Sequence, residues 1–380
     1  MLSLEIVLWL LIGAAVYAVA GYPLLVLALS KVWRKQFVRR PITPPVSLVI
    51  AAFNEEESIA SKIENALQTD YPQDKLEIIV ASDASTDRTD EIARSFAPRG
   101  VKLIRAEGNA GKSAMLSEVI RQARGEIILF SDATGMWTND AVQRLVAHFA
   151  DPRVGCVSGR VAYEYKRTAA SDGFGVYQRF VTQLRRAEAS FGAGFNAPGS
   201  IHAVRKSAFL PCPPALSMDL VDPFHVAMQG LRTTYEDQAI SWEQARTSVG
   251  EEFRARLRIA VRSWSFVFYA LRRLPLWRSP MYCFQLISHK FLRYTLGPSL
   301  LLIFALSAAL ASQHVLYRVL FVGQVAFWLA TLAAYLASRS GRRIPGLSAL
   351  LFFNSANVAY IRGLFLYLMG RRVARWNPAR

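Results

Sequence analysis

Two aspartates stand at the ends of apolar runs, where a carboxylate needs a reason to be. Asp83 follows the run Leu76–Ser82, and Asp132 follows Glu126–Ser131 within Ser131-Asp132-Ala133-Thr134. A buried ionised acid is costly unless something donates to it or shares its charge. Another run, Val46–Ala52, leads into Phe53-Asn54-Glu55-Glu56-Glu57, and a fourth, Val101–Ala106, leads into Glu107-Gly108-Asn109-Ala110-Gly111-Lys112. Each element also has an ordinary structural explanation. Asn54 with Glu57 three residues on reads as a helix capping box, Asp87 can cap the helix that follows it, and the Gly-Lys turn misses the phosphate-loop spacing GxxxxGK(S/T). On one rim, however, two strand-end acids, an Asn and a Gly-Lys turn suit a phosphorylated, hydroxyl-rich ligand held through a cation. Hard cations choose oxygen ligands and share them with phosphates. The chain has no GxGxxG, which argues against a nicotinamide cofactor.

These residues share a rim only if the runs are neighbouring strands. The runs begin at 46, 76, 101 and 126, with helix-period patterns between them at Glu57–Leu67, Asp87–Phe96 and Lys112–Arg124. Strand–helix alternation at this spacing requires crossover connections, hence an α/β domain with a mostly parallel sheet and helices on both faces. In such sheets ligands bind beyond the carboxyl ends of the strands. That is where all four loops lie.

The remaining chain is basic and apolar: 380 residues, 45 Lys+Arg against 28 Asp+Glu, net charge +17 and 52% apolar. This composition excludes a disordered basic tail, and three widely spaced cysteines (Cys156, Cys212, Cys283) exclude a disulfide scaffold. Nucleic acid and membrane remain as partners, and the placement of the apolar residues favours membrane. Ile6–Leu29 is an uncharged run of 24 residues, longer at ~1.5 Å per residue than a ~30 Å hydrocarbon core. A signal peptide cleaved near Ala18-Val19-Ala20 is the alternative, but the N-terminus lacks positive charge and the run continues past that site. Five of the ten residues from Lys31 to Arg40 are basic, which orients the following domain to the cytoplasm. Further spans are expected at Tyr294–Ser312 and Val319–Ser338. The last apolar stretch, Ile344–Met369, contains Asn354, Asn357 and Arg362 and is flanked by Arg342, Arg343, Arg371, Arg372 and Arg375. Four simple spans would put that basic tail outside, so spanning and re-entrant readings both stay open. Nine basic residues between Arg254 and Arg293 alternate with Trp264, Phe266, Phe268, Tyr269, Trp277, Tyr282 and Phe284. Such segments lie in the headgroup layer against anionic lipid; spans on both sides exclude the single-stranded nucleic acid reading.

These residues resemble family 2 glycosyltransferases of the GT-A fold, in the membrane-bound branch that makes polysaccharides and exopolysaccharides. The resemblance is carried by Val46 through Glu56, Ala81-Ser82-Asp83-Ala84-Ser85-Thr86-Asp87, Gly111-Lys112-Ser113, Phe130-Ser131-Asp132-Ala133 and Val154 through Gly159. It continues with Asp219 eleven residues before Gly230-Leu231-Arg232, and with Ser288 through Tyr294. It implies an inverting, metal-dependent transfer from a nucleotide-sugar, with UDP the expected nucleotide, to a saccharide or lipid-linked acceptor. Asp83 would hold base and ribose near Asn54 and Glu55, with Lys112 also on the donor. Asp132 would bind Mg²⁺ or Mn²⁺ on the diphosphate, and Asp219 would be the general base. Membrane lipids and polysaccharide export or assembly proteins are the expected partners, and a multi-pass protein of the bacterial inner membrane the expected setting. The implied organisation is a membrane helix (1–31), a basic linker (32–45), a GT-A domain (46–255), an interfacial segment (256–293), C-terminal membrane helices (294–370) and a basic tail (371–380).

The sequence departs from that pattern in several places. Thr134 replaces the second D-x-D acid, Ser117 stands where relatives usually carry Asn, and Met218 precedes Asp219 where an acid is common. Ala255-Arg256-Leu257-Arg258-Ile259 replaces the Q-x-x-R-W of processive synthases, which favours non-processive transfer. Addition of one sugar to a polyprenyl phosphate and a catalytically silent subunit of a polysaccharide assembly complex are the alternatives. Met218 through Pro223 also reads as an ordinary turn, with Asp222 rather than Asp219 of interest. His202 reads as structural, or as lining the acceptor site.

Overall fold

The computed structural model describes residues 2–164, 169–244, 249–339 and 347–371. Arg342, Arg343, Arg372 and Arg375, and with them the tail beyond 371, lie outside the described residues. The chain divides into two units. One comprises Val26–Thr247 and Ser265–Gln285, the other Met1–Leu25, Ser248–Trp264 and Leu286–Arg371.

The chain starts with helices α1 (Leu2–Val16) and α2 (Tyr22–Val32), joined without a break through a wide turn at Tyr17–Gly21. The strands that follow are β1 (Val46–Ala52), β2 (Leu76–Ser82), β3 (Val101–Arg105), β4 (Ile127–Asp132), β5 (Met136–Trp137), β6 (Val154–Glu164), β7 (His202–Arg205) and β8 (Arg232–Gln244). They form one sheet in the order β3-β2-β1-β4-β7-β6-β8-β5. The half β3-β2-β1-β4 is parallel throughout. The other half is mixed: β7 runs antiparallel to β4 and β6, β5 antiparallel to β8, and β6 parallel to β8. All seven residues of β1 are buried. That matches its continuous apolar run, the signature of a strand covered on both faces.

Helices α3 (Ile59–Leu67), α4 (Thr89–Ser95) and α5 (Lys112–Gln122) are the crossovers between the parallel strands. They are followed by α6 (Ala141–Val146), α7 (Ala169–Ser190) and α8 (Met218–Met228). β1 and β2 have the expected bounds. β4 starts and ends one residue late, so Asp132 is the last residue of the strand, in register with Ala51 of β1. The order of the parallel half reverses between β1 and β4, a topological switch point where such sheets open a crevice at their carboxyl ends. Both loops beside that point are strained: Asn54 (φ 54°) and Ala84 (φ 59°) adopt the left-handed conformation two residues past β1 and β2.

The remaining helices are α9 (Val249–Leu271), α10 (Pro280–Gln285), α11 (Leu292–Leu310), α12 (Val315–Arg339) and α13 (Leu347–Leu368). The expected boundary between 255 and 256 therefore falls inside the single helix α9. Three helices among the described residues are long and apolar enough to cross a membrane: Leu2–Val32, Pro280–Leu310 and Val315–Ala337. Of the polar residues of the last stretch, the two asparagines are turned inward and Arg362 is exposed. Asn354 and Asn357 are buried, and Asn354 Nδ2 donates to Thr331 Oγ1 at 2.8 Å across α12 and α13. Gln324 likewise donates to Ser307 at 2.9 Å, and such bonds hold helices together where lipid supplies no hydrophobic drive.

The aromatic-rich stretch has both buried and exposed rings. Phe266 and Tyr282 are buried against Phe224, with ring centroids 5.7 and 6.2 Å away, and only Trp277 is almost fully exposed. These rings find packing partners inside their own unit, which removes them from water as fully as lipid would.

Helices α11, α13 and α9 approach closely at two glycines. A Cβ on Gly297 would sit 2.9 Å from the Asn357 carbonyl oxygen, and one on Gly363 2.8 Å from Ala260 Cβ. Gly297→Val should therefore destabilise the protein by about 1–3 kcal/mol through overpacking, read as a lowered melting temperature in detergent. An unchanged melt would refute the close packing.

Candidate active site

The loops at the carboxyl ends of β1, β2, β3 and β4 are tied to one another by their own polar groups. Asp83 is fully buried, and its two carboxylate oxygens accept the backbone N–H groups of Ala110 and Gly111, each at 2.9 Å. Burial pushes this carboxyl up, and the two N–H donors oppose that shift. The Gly-containing turn after β3 thus supplies the donors that a strand-end acid requires.

Asn54 does not form the expected capping box. Its Oδ1 accepts the Thr86 N–H at 2.8 Å, 32 residues away, and the N-cap of helix α3 is Ser58, with no side-chain cap. The left-handed backbone at Asn54 turns its side chain towards the β2 loop rather than down the helix. Three further bonds close the clasp. Glu55 N–H donates to Thr89 Oγ1 (2.7 Å), Glu56 N–H to Asp87 Oδ2 (3.1 Å), and Arg88 N–H to Glu56 Oε2 (3.1 Å). Asp87 also accepts from Thr89 N–H at 3.0 Å, but the N-cap of α4 is Arg88, with no side-chain cap.

Lys112, at the start of α5, pairs its ammonium with the Asp132 carboxylate. Gly199 lies against the same ammonium, since a Cβ there would be 3.2 Å from Lys112 Nζ. The turn containing Gly199 reaches α8 as well: Ala197 N–H donates to the Asp219 carbonyl at 2.9 Å. Ser113 of α5 donates to the Leu216 carbonyl, just before α8, at 2.8 Å. Lys112, Asp132 and the N-terminus of α8 are therefore linked through one turn. Asp219 sits in the first turn of α8, where the helix dipole favours a negative charge. Its Oδ1 is buried with no hydrogen-bond partner among the described residues.

Asp222, one turn further along α8, is a different kind of acid. It is buried and faces His202 Nε2 at 3.1 Å, while His202 Nδ1 lies 2.9 Å from the Pro198 carbonyl and the ring stacks on Phe130 at 4.4 Å. Burial pushes the Asp222 carboxyl up, against the pull of His202. His202 and Asp222 thus join sheet and helix through Oδ2, while Asp222 Oδ1, like Asp219 Oδ1, is buried with no hydrogen-bond partner among the described residues.

Sequence reasoning missed Lys62 and Asn65. Helix α3 buries Ile59, Lys62, Ile63 and Ala66, a helical apolar stripe with a lysine in it, and that misplaced charge was the available signal. Lys62 Nζ donates to the Gly135 carbonyl at 2.6 Å and lies 5.0 Å from the centroid of the Trp137 ring. Asn65 holds both the N–H and the C=O of Trp137, each at 2.8 Å. Together they clamp the turn that follows Asp132. Burial pushes the Lys62 ammonium down to about 7, with Asp132 acting the other way.

Among the described residues no three His, Cys, Asp or Glu side chains converge as a metal site. Asp132 offers a single carboxylate, and the exposed Thr134 stands two residues on. One carboxylate with phosphate oxygens and water is a sufficient set for Mg²⁺-type binding, so the residues fit a cation that arrives with a diphosphate.

Residues 47–210 match the family model described as Glycosyl transferase family 2. The β-monoglucosyldiacylglycerol synthase of Synechocystis sp. is 35% identical over 123 residues, 31% of this chain and 26% of that protein. The poly-β-1,6-N-acetyl-D-glucosamine synthase of Staphylococcus epidermidis is 25% identical over 222 residues, 57% of this chain and 53% of that protein. The chain thus spans from about a quarter to about half the length of these relatives. Among solved structures, the mannosyltransferase PcManGT from Pyrobaculum calidifontis, in complex with GDP-Man and Mn²⁺, superposes with a TM-score of 0.72 at 24% identity. The match covers 97% of this chain and 100% of that one. The GT-A fold expected from the sequence is thereby observed.

Lys62 gives the site a pH signature. Its folded pKa of about 7 lies below the ordinary 10.5, so between those values the unfolded chain holds more protons and stability rises with pH. The slope approaches ~1.4 kcal/mol per pH unit and vanishes below the folded value. Relative to Lys62→Met, the wild type should gain about 2 kcal/mol between pH 7.5 and 9 in chemical denaturation. Parallel pH profiles would refute this assignment.

Proposed function

We propose that this chain, which carries a family 2 glycosyltransferase domain over residues 47–210, moves a sugar from a nucleotide-sugar to a saccharide or lipid-linked acceptor. The observation that carries the reading is the rim at the switch point. There Asp83, the Gly111–Lys112 turn and Asp132 meet at the ends of three parallel strands and are linked to a partly exposed Asp219. In this reading the Asn54–Glu55 and Asp83 loops take the base and ribose, and Lys112 takes the diphosphate. Asp219 removes the proton from the acceptor hydroxyl. The acceptor oxygen then attacks the anomeric carbon, the bond from that carbon to the diphosphate oxygen breaks, and the nucleoside diphosphate leaves with the electron pair. One displacement with one base inverts the anomeric centre. The unpartnered Asp219 Oδ1 supports this role, because a buried carboxylate oxygen without a donor is ready to accept one. A divalent cation bound with the donor, with Asp132 as its protein ligand, would neutralise charge on the leaving group.

A lipid acceptor is the favoured form of the reaction, since the chain lacks the Q-x-x-R-W of processive synthases and three of its helices can cross a membrane. Orientation of the catalytic domain to the cytoplasm rests on the basic collar Lys31–Arg40.

Detergent-purified protein incubated with UDP- and GDP-sugars, Mn²⁺ and membrane lipid extract should release nucleoside diphosphate with one donor and place its sugar in the organic phase. Release with no donor would refute the reading. Asp219→Asn should lower turnover at least 10²-fold while binding the donor within about threefold of wild type. Undiminished turnover would remove Asp219 from the mechanism.

A further inference from the structure

The geometry of His202 and Asp222 fixes how many protons the pair holds. His202 Nδ1 lies 2.9 Å from the Pro198 carbonyl, which can only accept, so this nitrogen carries hydrogen. Nε2 lies 3.1 Å from Asp222 Oδ2, and a second hydrogen stands between them, on one atom or the other, because two lone pairs would otherwise face each other. Imidazolium with carboxylate and imidazole with carboxylic acid are both neutral as a pair. Neutrality suits the surroundings, since His202 is 1% exposed and Asp222 2%, and a net charge there would be costly. The other titratable groups that face Asp222 are Asp219 and His225 on α8 and Cys156 on β6. Burial pushes the His225 imidazole down and the Cys156 thiol up, so both are uncharged at neutral pH. On β4 the stacked Phe130 ring carries no charge, and from α5 the Lys112 ammonium lies by Gly199.

The bridge also bears on where Asp219 stands. Pro198 sits between Ala197, whose N–H donates to the Asp219 carbonyl at 2.9 Å, and Gly199. Asp222 is one turn from Asp219 on the same helix. The imidazole therefore ties the 197–199 turn to α8 a second time. We infer that His202 is a positioning residue: through the proton it shares with Asp222 it holds that turn on α8 and leaves Asp219 the one carboxylate of the helix free to take a proton. The inference rests on Asp219 as the base in the nucleotide-sugar reading above. When the shared proton leaves at alkaline pH, the bridge opens and a second negative charge appears one turn from Asp219.

The test is kcat and donor KM against pH for the full chain in detergent, with the UDP- or GDP-sugar and lipid extract that the wild type turns over. The variants are Asp222→Asn, Asp222→Leu and His202→Phe. Asn donates its amide N–H to Nε2 and rebuilds the bridge without a proton that titrates, whereas Leu and Phe remove it. Wild-type kcat should fall above neutral pH through one ionisation, and Asp222→Asn should lack that limb. At about pH 7, Asp222→Asn should turn over about tenfold or more faster than the other two variants, with donor KM within about threefold throughout. An alkaline limb unchanged in Asp222→Asn, or absent from the wild type, would overturn the inference and leave transfer from a nucleotide-sugar standing. So would Asp222→Asn as slow as Asp219→Asn, which would make Asp222 the base. If the Leu and Phe variants do not fold, the two pH profiles decide; if Asp222→Asn does not fold either, the alkaline limb of the wild type does. Failure of the wild type to turn over any donor would overturn the proposed function together with the inference.

Discussion

The Asp83 carboxylate is the contact on which the rim depends. An acid at the end of a buried strand must find donors, and Asp83 finds two backbone N–H groups in the turn after the neighbouring strand. That turn is then fixed at Gly111, the residue before Lys112, which directs the lysine to Asp132. One unmet hydrogen-bonding need thus sets the position of a cation two strands away. The same logic of satisfying strand-end polar groups within the rim joins the β1 and β2 loops through Asn54 and Thr86.

Local features of the site were legible in the sequence where one residue type carried one physical demand. β1 and β2 were readable to the residue because parallel strands covered on both faces leave continuous apolar runs. Asp83 and Asp132 were readable because carboxylates seldom end such runs without a reason. Asn54 was not, since a capping box and a long-range clasp need the same residue types, and only the left-handed backbone chooses between them. The mixed half of the sheet was equally hidden. β6 and β8 pair across 78 residues of sequence, from Val154 to Arg232, and no local spacing encodes that.

Lys62 belongs to a third category: the signal was present but was absorbed into a helical pattern. The stripe Ile59, Lys62, Ile63, Ala66 scores as amphipathic whether or not its second member is charged. The charge becomes meaningful only once the helix is seen to bury it beside the turn after Asp132. The net charge of +17 has the same character. Part of it lies in the collar and in the aromatic-rich stretch, where position rather than amount gives it meaning.

The contacts at Gly297 and Gly363 bear on how the helical unit assembles. Lipid chains solvate leucine as well as another helix does, so apolar side chains alone give two spans no reason to prefer each other. Here the backbones meet almost directly, and Asn354–Thr331 and Gln324–Ser307 add interhelical hydrogen bonds. Such contacts are specific, because they depend on backbone approach and on paired polar groups rather than on apolar area. A small residue at each close approach therefore matters to helix pairing more than the size of the apolar side chains around it.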